Sequence, residues 1–159
     1  MHRTYENEDI VVFWNSEKCF HAKRCVTGSP KTFDPSRRPW IQLGHAENPE
    51  VWQAIEQCPS GALGVAYRFG IDVRFEEDRN RSASYEGETQ VGECEYQVMD
   101  GHWTIAHTGV RPEYEGRGIA KRLVYAVLEA AERRGVEVSA TCSYAQRILG
   151  DTQSRRDGM

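Results

Sequence analysis

The sequence predicts an α+β protein made of two small domains, at residues 1–69 and 70–159. Both parts contain short runs rich in β-branched and aromatic residues, which are typical of strands. The second part also contains a long stretch with the apolar period of an amphipathic helix. Between residues 67 and about 81 the pattern weakens into the charged run "EEDRNR", and we therefore place the domain junction there.

The composition is typical of a water-soluble globular chain and excludes several functions. Of the 159 residues, 39% are hydrophobic and 28% charged, and no apolar run approaches the ~20 residues that cross a bilayer. The first fifteen residues carry acids and lack the apolar segment of an export signal, so we expect a cytoplasmic protein with no membrane partner. A net charge of -4 gives no general attraction to nucleic acid.

The first domain is predicted to contain a strand and a short helix, separated by a loop rich in proline and glycine. The strand is "DIVVFWN", residues 9–15. We expect Asn48 to cap the helix, with Pro49 at its first position and Cys58-Pro59 at its end. The apolar face of this helix consists of Val51, Trp52 and Ile55.

The five cysteines are an odd number, which favours metal ligation or catalysis over a disulfide framework in a reducing compartment. Cys19, Cys25 and Cys58 follow the spacing C-x5-C and then, after 32 residues, C-P. Bacterial ferredoxins use C-x2-C-x2-C with a distant C-P, so the outer spacing is kept while Ala22 occupies the middle ligand position. Three thiolates can hold a three-iron cluster, or a four-iron cluster whose last iron takes another ligand. His21 is the nearest candidate for that ligand.

Residues 10–65, with "CFHAKRCVTG", "TFDPSRRPWI" and "CPSGAL", resemble the divergent mono-cluster 4Fe-4S ferredoxin domain found in bacteria. The resemblance implies a small ferredoxin-like iron–sulfur domain, with a 4Fe-4S or 3Fe-4S cluster on Cys19, Cys25 and Cys58. The cluster type and the role of His21 stay open. A zinc site made of the same four residues and metal-free buried cysteines are the alternatives.

The second domain is predicted to begin with a β-hairpin. The strands "QVGECEYQVM" and "HWTIAHTGV" are joined by Asp100-Gly101, a pair favoured in two-residue turns because both central residues need positive φ. A helix follows from about Gly118 to Arg134, with Gly135 as its stop. "VEVSA" then favours a strand and "SYAQRIL" a short helix, so the predicted order of elements is β-β-β-α-β-α. The apolar stripe of the long helix is Ile119, Leu123, Val127, Leu128 and Ala131.

Two glycines precede this long helix, in "EYEGRGIAKRL", and three mechanisms place glycines there. A P-loop requires lysine after its last glycine, but Ile119 follows Gly118. A dinucleotide fingerprint requires a third glycine where this chain has Lys121, and too few residues remain after Cys142 to complete such a fold. The third mechanism is acyl-CoA binding, in which the first unpaired N–H groups of the helix hold the pyrophosphate.

The charges around the helix start allow two interpretations. Lys121 and Arg122 fit a bound polyanion, because a cation near a helix N-terminus otherwise costs typically ~0.3–1 kcal/mol. Glu113 and Glu115, however, precede the helix and would compensate its positive end without a ligand.

Residues 88–149 resemble the small GNAT-type N-acetyltransferases. The residues that carry the resemblance are His107-Thr108, Val110, Pro112, "EGRGIA" and Cys142-Ser143-Tyr144. It implies a minimal GNAT-type mixed sheet with two helices and acetyl-CoA as co-substrate. The implied coenzyme-binding residues are Val110, Gly116, Arg117, Gly118, Ile119, Ala120 and Lys121. Two residues depart from the family pattern: Glu115 replaces a Gln or Arg, and Gly109 stands at a position that is often acidic.

Acetyl transfer to an amine requires a proton acceptor, a polarised carbonyl and a stabilised leaving thiolate. The resemblance places the thioester beside Val110, whose N–H would polarise the carbonyl. Cys142 would act as acid to the leaving thiolate or as a transient acyl acceptor, and Tyr144 is a second candidate acid. His107, or a water that it holds, would take the amine proton. In the structural alternative, Cys142 and Tyr144 are packing residues and His107 is a hydrogen-bonded strand residue.

The sequence therefore predicts an acetyl-CoA-dependent N-acetyltransferase fused to an iron–sulfur module. The expected acceptor is a small-molecule amine, or a lysine or N-terminus of a protein. The cluster would have a redox or iron-sensing role, with a redox partner. The alternative is a ferredoxin-like electron carrier whose second domain only binds CoA or a partner.

Overall fold

The computed structural model describes residues 1–19 and 23–149. The chain folds into two compact units, an N-terminal one that ends at Arg68 and a C-terminal one that begins at Phe69. Each unit combines a β-sheet with helices, which confirms the α+β fold class. In the part of the chain that the structure describes, no helix is long and apolar enough to cross a membrane.

The N-terminal unit contains a three-stranded sheet in the order β1-β2-β3. The strands are β1 His2–Glu6, β2 Ile10–Asn15 and β3 Leu63–Tyr67, and β2 pairs antiparallel with β3. The short helix α1, Arg24–Gly28, follows β2. Every residue of β2 is buried, as expected of a central strand rich in β-branched and aromatic side chains, so the predicted strand at 9–15 is confirmed. The strands β1 and β3 have no predicted counterpart, because β1 is mostly polar and β3 is short.

Helix α2 spans Asn48–Glu56, with Pro49 in its first turn as predicted. The prediction that Asn48 caps this helix was wrong, because Glu47 occupies the N-cap position. The Asn48 side chain instead accepts a hydrogen bond from Asn7 at 2.9 Å and donates one to Asp9 at 3.3 Å. Asn48 therefore holds the turn between β1 and β2 against the start of α2.

The C-terminal unit is a five-stranded mixed sheet in the order β4-β5-β6-β7-β8. The strands are β4 Ile71–Glu76, β5 Arg81–Glu86, β6 Thr89–Met99, β7 His102–Val110 and β8 Val138–Ala140. Neighbours from β4 to β7 are antiparallel, and β8 is parallel to β7. Helix α3, Ile119–Arg133, packs its apolar side chains against the sheet, and residues 143–149 are also helical.

The start of this unit differs from the predicted order, because four strands precede α3 instead of three. The charged run at 76–81 forms a 3-10 turn between β4 and β5. β5 consists largely of small residues, and its Ser82 hydroxyl donates to the carbonyl of Leu123 on α3 at 2.7 Å. Small polar residues allow α3 to lie close against the strand. They also lack the alternation of apolar and polar residues by which a strand is predicted from sequence.

Two other local predictions in this unit are confirmed. Asp100 and Gly101 have φ values of 52° and 75°, as a two-residue hairpin turn between β6 and β7 requires. The predicted helix agrees with α3 to within a residue at each end, and Gly135 follows it with φ 67°. The expected stripe of α3 is buried in full: Ile119, Leu123, Val127, Leu128 and Ala131.

β7 contains a β-bulge and separates from one of its neighbours. Its register with β6 shifts at Ala106, since His107 lies opposite Glu95 whereas Ile105 lies opposite Tyr96. β8 pairs with β7 only as far as Ile105. Beyond that residue β7 continues while the chain after β8 turns away, so a gap opens along this edge of β7.

Candidate functional sites

A turn with two glycines leads into α3. Gly116 and Gly118 have φ values of 77° and 75°, a conformation that residues with a side chain rarely adopt. Gly118 is the N-cap of α3, and among the described residues no side chain caps this helix end. Glu113 and Glu115 therefore do not cap α3. The N–H groups of its first turn, which have no partner within the helix, form an end suited to an anion.

Two cations of the predicted binding segment lie beside aromatic rings. The Arg117 guanidinium is 5.3 Å from the ring centroid of Phe69 and 5.1 Å from that of Tyr114. The Lys121 ammonium is 5.6 Å from the ring centroid of Tyr125 on the same helix. Both contacts hold positive charge near the glycine turn.

Arg122 has a different position, although it follows Lys121 directly. Its side chain is only 3% exposed, and its guanidinium donates to the carbonyl of Ile71 on β4 at 2.9 Å. The interpretation of Arg122 as a partner of a bound polyanion is therefore wrong. Its guanidinium joins α3 to the edge of the sheet.

The last residue of β7 presents its N–H to the gap beside β8. Val110 lies opposite Gly92 of β6, and the next N–H, that of Arg111, donates to the carbonyl of Val91 at 2.8 Å. Successive N–H groups of a strand point to opposite edges. The N–H of Val110 therefore points away from β6, toward the edge where β8 has separated.

Cys142 lies at the other side of this gap, just beyond β8. Its N–H donates to the carbonyl of Ile105, and its carbonyl accepts the N–H of Gln146, so the terminal helical segment begins here. Burial alone would raise the pKa of the Cys142 thiol. Hydrogen bonds from the Ala145 N–H and from the Thr108 hydroxyl outweigh burial, so the pKa of Cys142 is lowered. A lower pKa favours the thiolate at a given pH.

Thr108 belongs to the motif that carries the GNAT-type resemblance, but the sequence assigned it no role in the site. It lies on β7 and contacts two thiols, since its hydroxyl is 3.5 Å from Cys94 Sγ and also bonds Cys142. Cys94 is fully buried, and burial raises its pKa to about 12. Cys94 stands among polar residues in the sequence, and no role was predicted for it. In the structure it lies in the core beneath Thr108.

Tyr144 lies on the same side of the sheet as Cys142 and Thr108. Its ring is half-buried against the core that α3 covers, and burial raises its pKa. The Arg147 guanidinium is 6.0 Å from the ring centroid. The phenol is therefore protonated over the physiological pH range and can act as a proton donor.

His107 projects from the opposite face of β7, because neighbouring residues of a strand alternate between faces. Its Nε2 is 3.2 Å from a carboxylate oxygen of Glu93 on β6. The second oxygen of Glu93 accepts a hydrogen bond from the Gln90 amide at 3.3 Å. Cys142, Tyr144 and Val110 thus pack against the same core, and His107 lies on the opposite face of the sheet.

Three thiols gather in the N-terminal unit. Cys19 follows β2, Cys25 lies in α1 and Cys58 follows α2, and all three are half-buried against one hydrophobic core. Burial raises the pKa of Cys25, and the nearby Cys58 and Cys19 thiols raise it further. A cavity of about 620 Å³ borders Cys19 and Cys25, and its lining includes the cations of Lys23 and Arg38.

The segment after α2 surrounds the Cys58 thiol with donors. Burial would raise the pKa of Cys58, but hydrogen bonds from the Ser60 hydroxyl and from the backbone of Leu63, Ser60 and Ala62 lower it. The Ser60 hydroxyl is 3.4 Å from Cys58 Sγ. Gly61 has φ 70°, which allows the chain to curl around the sulfur.

The three cysteines do not converge on a single point. Within residues 1–19 and 23–149, no three His, Cys, Asp or Glu side chains converge closely enough to hold one ion. The thiolates of an iron–sulfur cluster bind different irons, so they need not converge on one point. Cys19 and Cys25 border the cavity, and the lining does not include Cys58. The predicted fourth ligand, His21, lies outside the described residues.

Comparison with known proteins identifies both halves. The sequence model of the divergent 4Fe-4S mono-cluster family matches residues 5–68, and that of the GCN5-related N-acetyl-transferase family matches residues 81–157. YjdI of Escherichia coli K12 is 40% identical over 67 residues, which are 42% of this chain and 88% of YjdI. Protein NATD1 of Bos taurus is 29% identical over 106 residues, 60% of this chain and 88% of NATD1. A GCN5-like protein of Staphylococcus aureus, solved by NMR, is 30% identical, with 54% of this chain and 84% of that chain covered at a TM-score of 0.42.

The chain therefore joins a domain of the divergent 4Fe-4S mono-cluster family to a domain of the GCN5-related N-acetyltransferase family. Both resemblances stated from the sequence motifs are confirmed.

Proposed function

We propose that the C-terminal domain transfers an acetyl group from acetyl-CoA to an amine, and that the N-terminal domain binds an iron–sulfur cluster. The observation that carries the transferase proposal is the gap between β7 and β8. Beyond Ile105 the two strands are unpaired, the Val110 N–H points into the gap, and the Cys142 thiol borders it. A thioester in this gap would meet a hydrogen-bond donor and an acid.

The glycine turn before α3 supports binding of the coenzyme's pyrophosphate. In the proposed complex, backbone N–H groups of residues 116–121 hold the phosphate oxygens, while Arg117 and Lys121 add positive charge. Glu115 lies in the same turn, and its carboxylate opposes this binding. The contact is made mainly by the backbone, so the site tolerates that charge at reduced affinity.

The proposed reaction is a direct transfer. The amine nitrogen attacks the thioester carbon, the N–C bond forms, and the C–S bond breaks to release the CoA thiolate. The Val110 N–H donates to the carbonyl oxygen, and His107 takes the proton of the amine. The thiolate takes a proton from Cys142, which regains one from solvent, and Tyr144 is the alternative donor. In this scheme the base, His107, and the acids, Cys142 and Tyr144, lie on opposite faces of the sheet, so the amine loses its proton on one face and the thiolate gains a proton on the other.

The proposed acceptor is a small-molecule amine, or a lysine or N-terminus of a protein. β4 and β5 are joined by a single 3-10 turn, so no helix is inserted between these strands. A short connection of this kind favours an open groove over a closed pocket, which is why a protein amine is included among the acceptors.

The cluster proposal assigns Cys19, Cys25 and Cys58 as thiolate ligands. A bound cluster would supply one-electron redox chemistry or a means of sensing iron. The donors around Cys58 would stabilise the thiolate, and Lys23 and Arg38 would offset the negative charge of a cluster in the adjoining cavity.

Coenzyme binding tests the transferase proposal. Acetyl-CoA is expected to raise the melting temperature of the wild-type chain, and Gly118→Glu is expected to abolish that rise by placing a carboxylate at the pyrophosphate. Gly87→Glu is the matched control, because Gly87 has a positive φ, as Gly118 does, and lies in open space in the β5–β6 turn. A wild-type chain that acetyl-CoA does not stabilise, and that acetylates no member of an amine and peptide panel, would contradict the proposal.

Metal analysis tests the cluster proposal. The chain purified without oxygen is expected to contain both iron and acid-labile sulfide, in equal amounts for a 4Fe-4S cluster and with less iron than sulfide for a 3Fe-4S cluster, and Cys58→Ala should lose most of both. Cys94→Ala, a buried thiol of the other unit, should keep them. Zinc without sulfide would favour the zinc alternative instead.

A further inference from the structure

We propose that Glu93 is the positioning residue for His107: its carboxylate fixes the imidazole tautomer that accepts the amine proton. The inference rests on the proposed acetyl transfer and adds a residue to it. Glu93 is not among the residues that carry the GNAT-type resemblance, and its contact with His107 forms only because β6 and β7 lie side by side.

The contact itself sets the position of the ring proton. Nε2 of His107 is 3.2 Å from Oε1 of Glu93. An ionised carboxylate accepts hydrogen bonds and donates none, so Nε2 must carry the hydrogen in this pair. The lone pair of a neutral ring is then on Nδ1, which is the nitrogen left to accept a proton.

The carboxylate is itself held in place. The Gln90 amide donates to Oε2 of Glu93 at 3.3 Å, so both carboxylate oxygens have partners. The Glu93 side chain is 28% exposed whereas that of His107 is 55% exposed. The Glu93 carboxylate is thus less exposed than the His107 ring, and the ring is the group that a substrate can reach.

Gly109 provides the room for this pair. It lies opposite Glu93 in the β6–β7 register and two residues after His107, on the same face. A Cβ at position 109 would lie 2.9 Å from Nε2 and 3.2 Å from Cε1 of His107. The ring therefore lies directly over Gly109, and any side chain there would push it away from Glu93.

A cavity lies over β6 and the end of β7, beside the Glu93 carboxylate. It has a volume of about 340 Å³, and its lining includes Glu93, Gly109, Val110 and Arg111. An amine in this cavity would lie between the Glu93–His107 pair and the end of β7. As its nitrogen attacks, its proton passes to Nδ1, and the imidazolium that forms is stabilised by the Glu93 carboxylate on the other side of the ring.

Glu93→Gln in the full chain tests the proposal by two measurements. The first is the ring nitrogen spectrum of His107 by long-range proton–nitrogen NMR in alkaline buffer, where neutral imidazoles report their tautomer. The wild type should show the Nε2–H form, and Glu93→Gln should show a mixture. The second is kinetic: kcat should fall at least about tenfold, short of the 10²–10⁴-fold contribution typical of a general base, with KM for acetyl-CoA unchanged.

Two further variants distinguish a positioning role of Glu93 from a general effect of losing its charge or of disturbing the fold. Glu88→Gln removes an exposed carboxylate in the turn before β6, away from His107, and should change neither measurement. Gly109→Ala should reproduce both effects of Glu93→Gln with Glu93 intact, because the methyl group displaces the ring. An unchanged tautomer in Glu93→Gln would overturn the proposal, even with reduced activity. The spectrum needs no substrate, so a wild type that transfers no acetyl group would refute the proposed function while the tautomer still decides the role of Glu93.

Discussion

Two thiols on either side of one hydroxyl have opposite properties in this protein. Thr108 bonds both Cys94 and Cys142. Burial raises the pKa of Cys94 to about 12, whereas hydrogen bonds overcome burial and lower the pKa of Cys142. At a given pH the thiolate fraction is larger for the group with the lower pKa, so Cys142 is the reactive member of the pair.

Alkylation should distinguish these thiols. Near pH 7, iodoacetamide is expected to modify Cys142 in the native chain and to leave Cys94 unmodified until the chain unfolds. Thr108→Val removes a donor to Cys142 with little change in volume, so it should raise the Cys142 pKa and slow its alkylation at that pH. Peptide mass spectrometry of timed samples measures both rates. Equal modification of Cys94 and Cys142, or no effect of Thr108→Val, would contradict the assignment.

At the scale of an element, the first turn of α3 shows that adjacent cations serve different purposes. Lys121 lies over the Tyr125 ring near the glycine turn, and Arg122 is buried against the β4 carbonyl of Ile71. A helix places successive residues about 100° apart, so Lys121 is partly exposed while Arg122 faces the core.

Replacement of each cation by methionine should separate coenzyme binding from stability. Arg122→Met leaves a buried carbonyl without its donor, so the free energy of unfolding should fall by about 1–3 kcal/mol while KM for acetyl-CoA stays the same. Lys121→Met should change stability by less than about 0.5 kcal/mol. Its KM for acetyl-CoA should rise roughly two- to fivefold, the effect of one charge near a helix terminus. Denaturant titration and steady-state kinetics measure these changes, and an exchange of the two effects would refute the assignment.

At the scale of the whole molecule, the chain joins a cluster-family domain to an acetyltransferase-family domain. If the cluster regulates the transferase, its two redox states must differ in affinity for acetyl-CoA, and acetyl-CoA must shift the reduction potential of the cluster by the same free energy. This reciprocity makes the regulatory role measurable without knowledge of the acceptor.

A tenfold difference in acetyl-CoA affinity between the oxidised and reduced chain should appear as a shift of about 59 mV in a one-electron potential. Calorimetry on both redox states gives the affinities, and a potentiometric titration with and without acetyl-CoA gives the shift. Gly118→Glu should show no shift, since it cannot bind the coenzyme. Equal affinities in both redox states would exclude regulation through coenzyme binding.

Strong local patterns predicted much of the fold. The hairpin at Asp100-Gly101 and the stripe of α3 depend on neighbouring residues alone, and both are confirmed. The predicted order contained one strand before β6 where the structure has two, β4 and β5, because their small and charged residues are buried or paired only through contacts with α3 and β6. The predicted capping role of Asn48 was wrong for the same reason, since the hydrogen bonds of its side chain go to residues distant in the sequence.

The sequence by itself determined the two families, the spacing of the three cluster cysteines and the glycines before α3, because each depends on residue type and spacing along the chain. Only the tertiary structure decided that Arg122 is buried, that Thr108 bonds two thiols and that Glu93 holds His107. These interactions join strands and helices whose residues are 14 to 51 positions apart. Strand register and helix packing create such neighbours, and no local pattern records them.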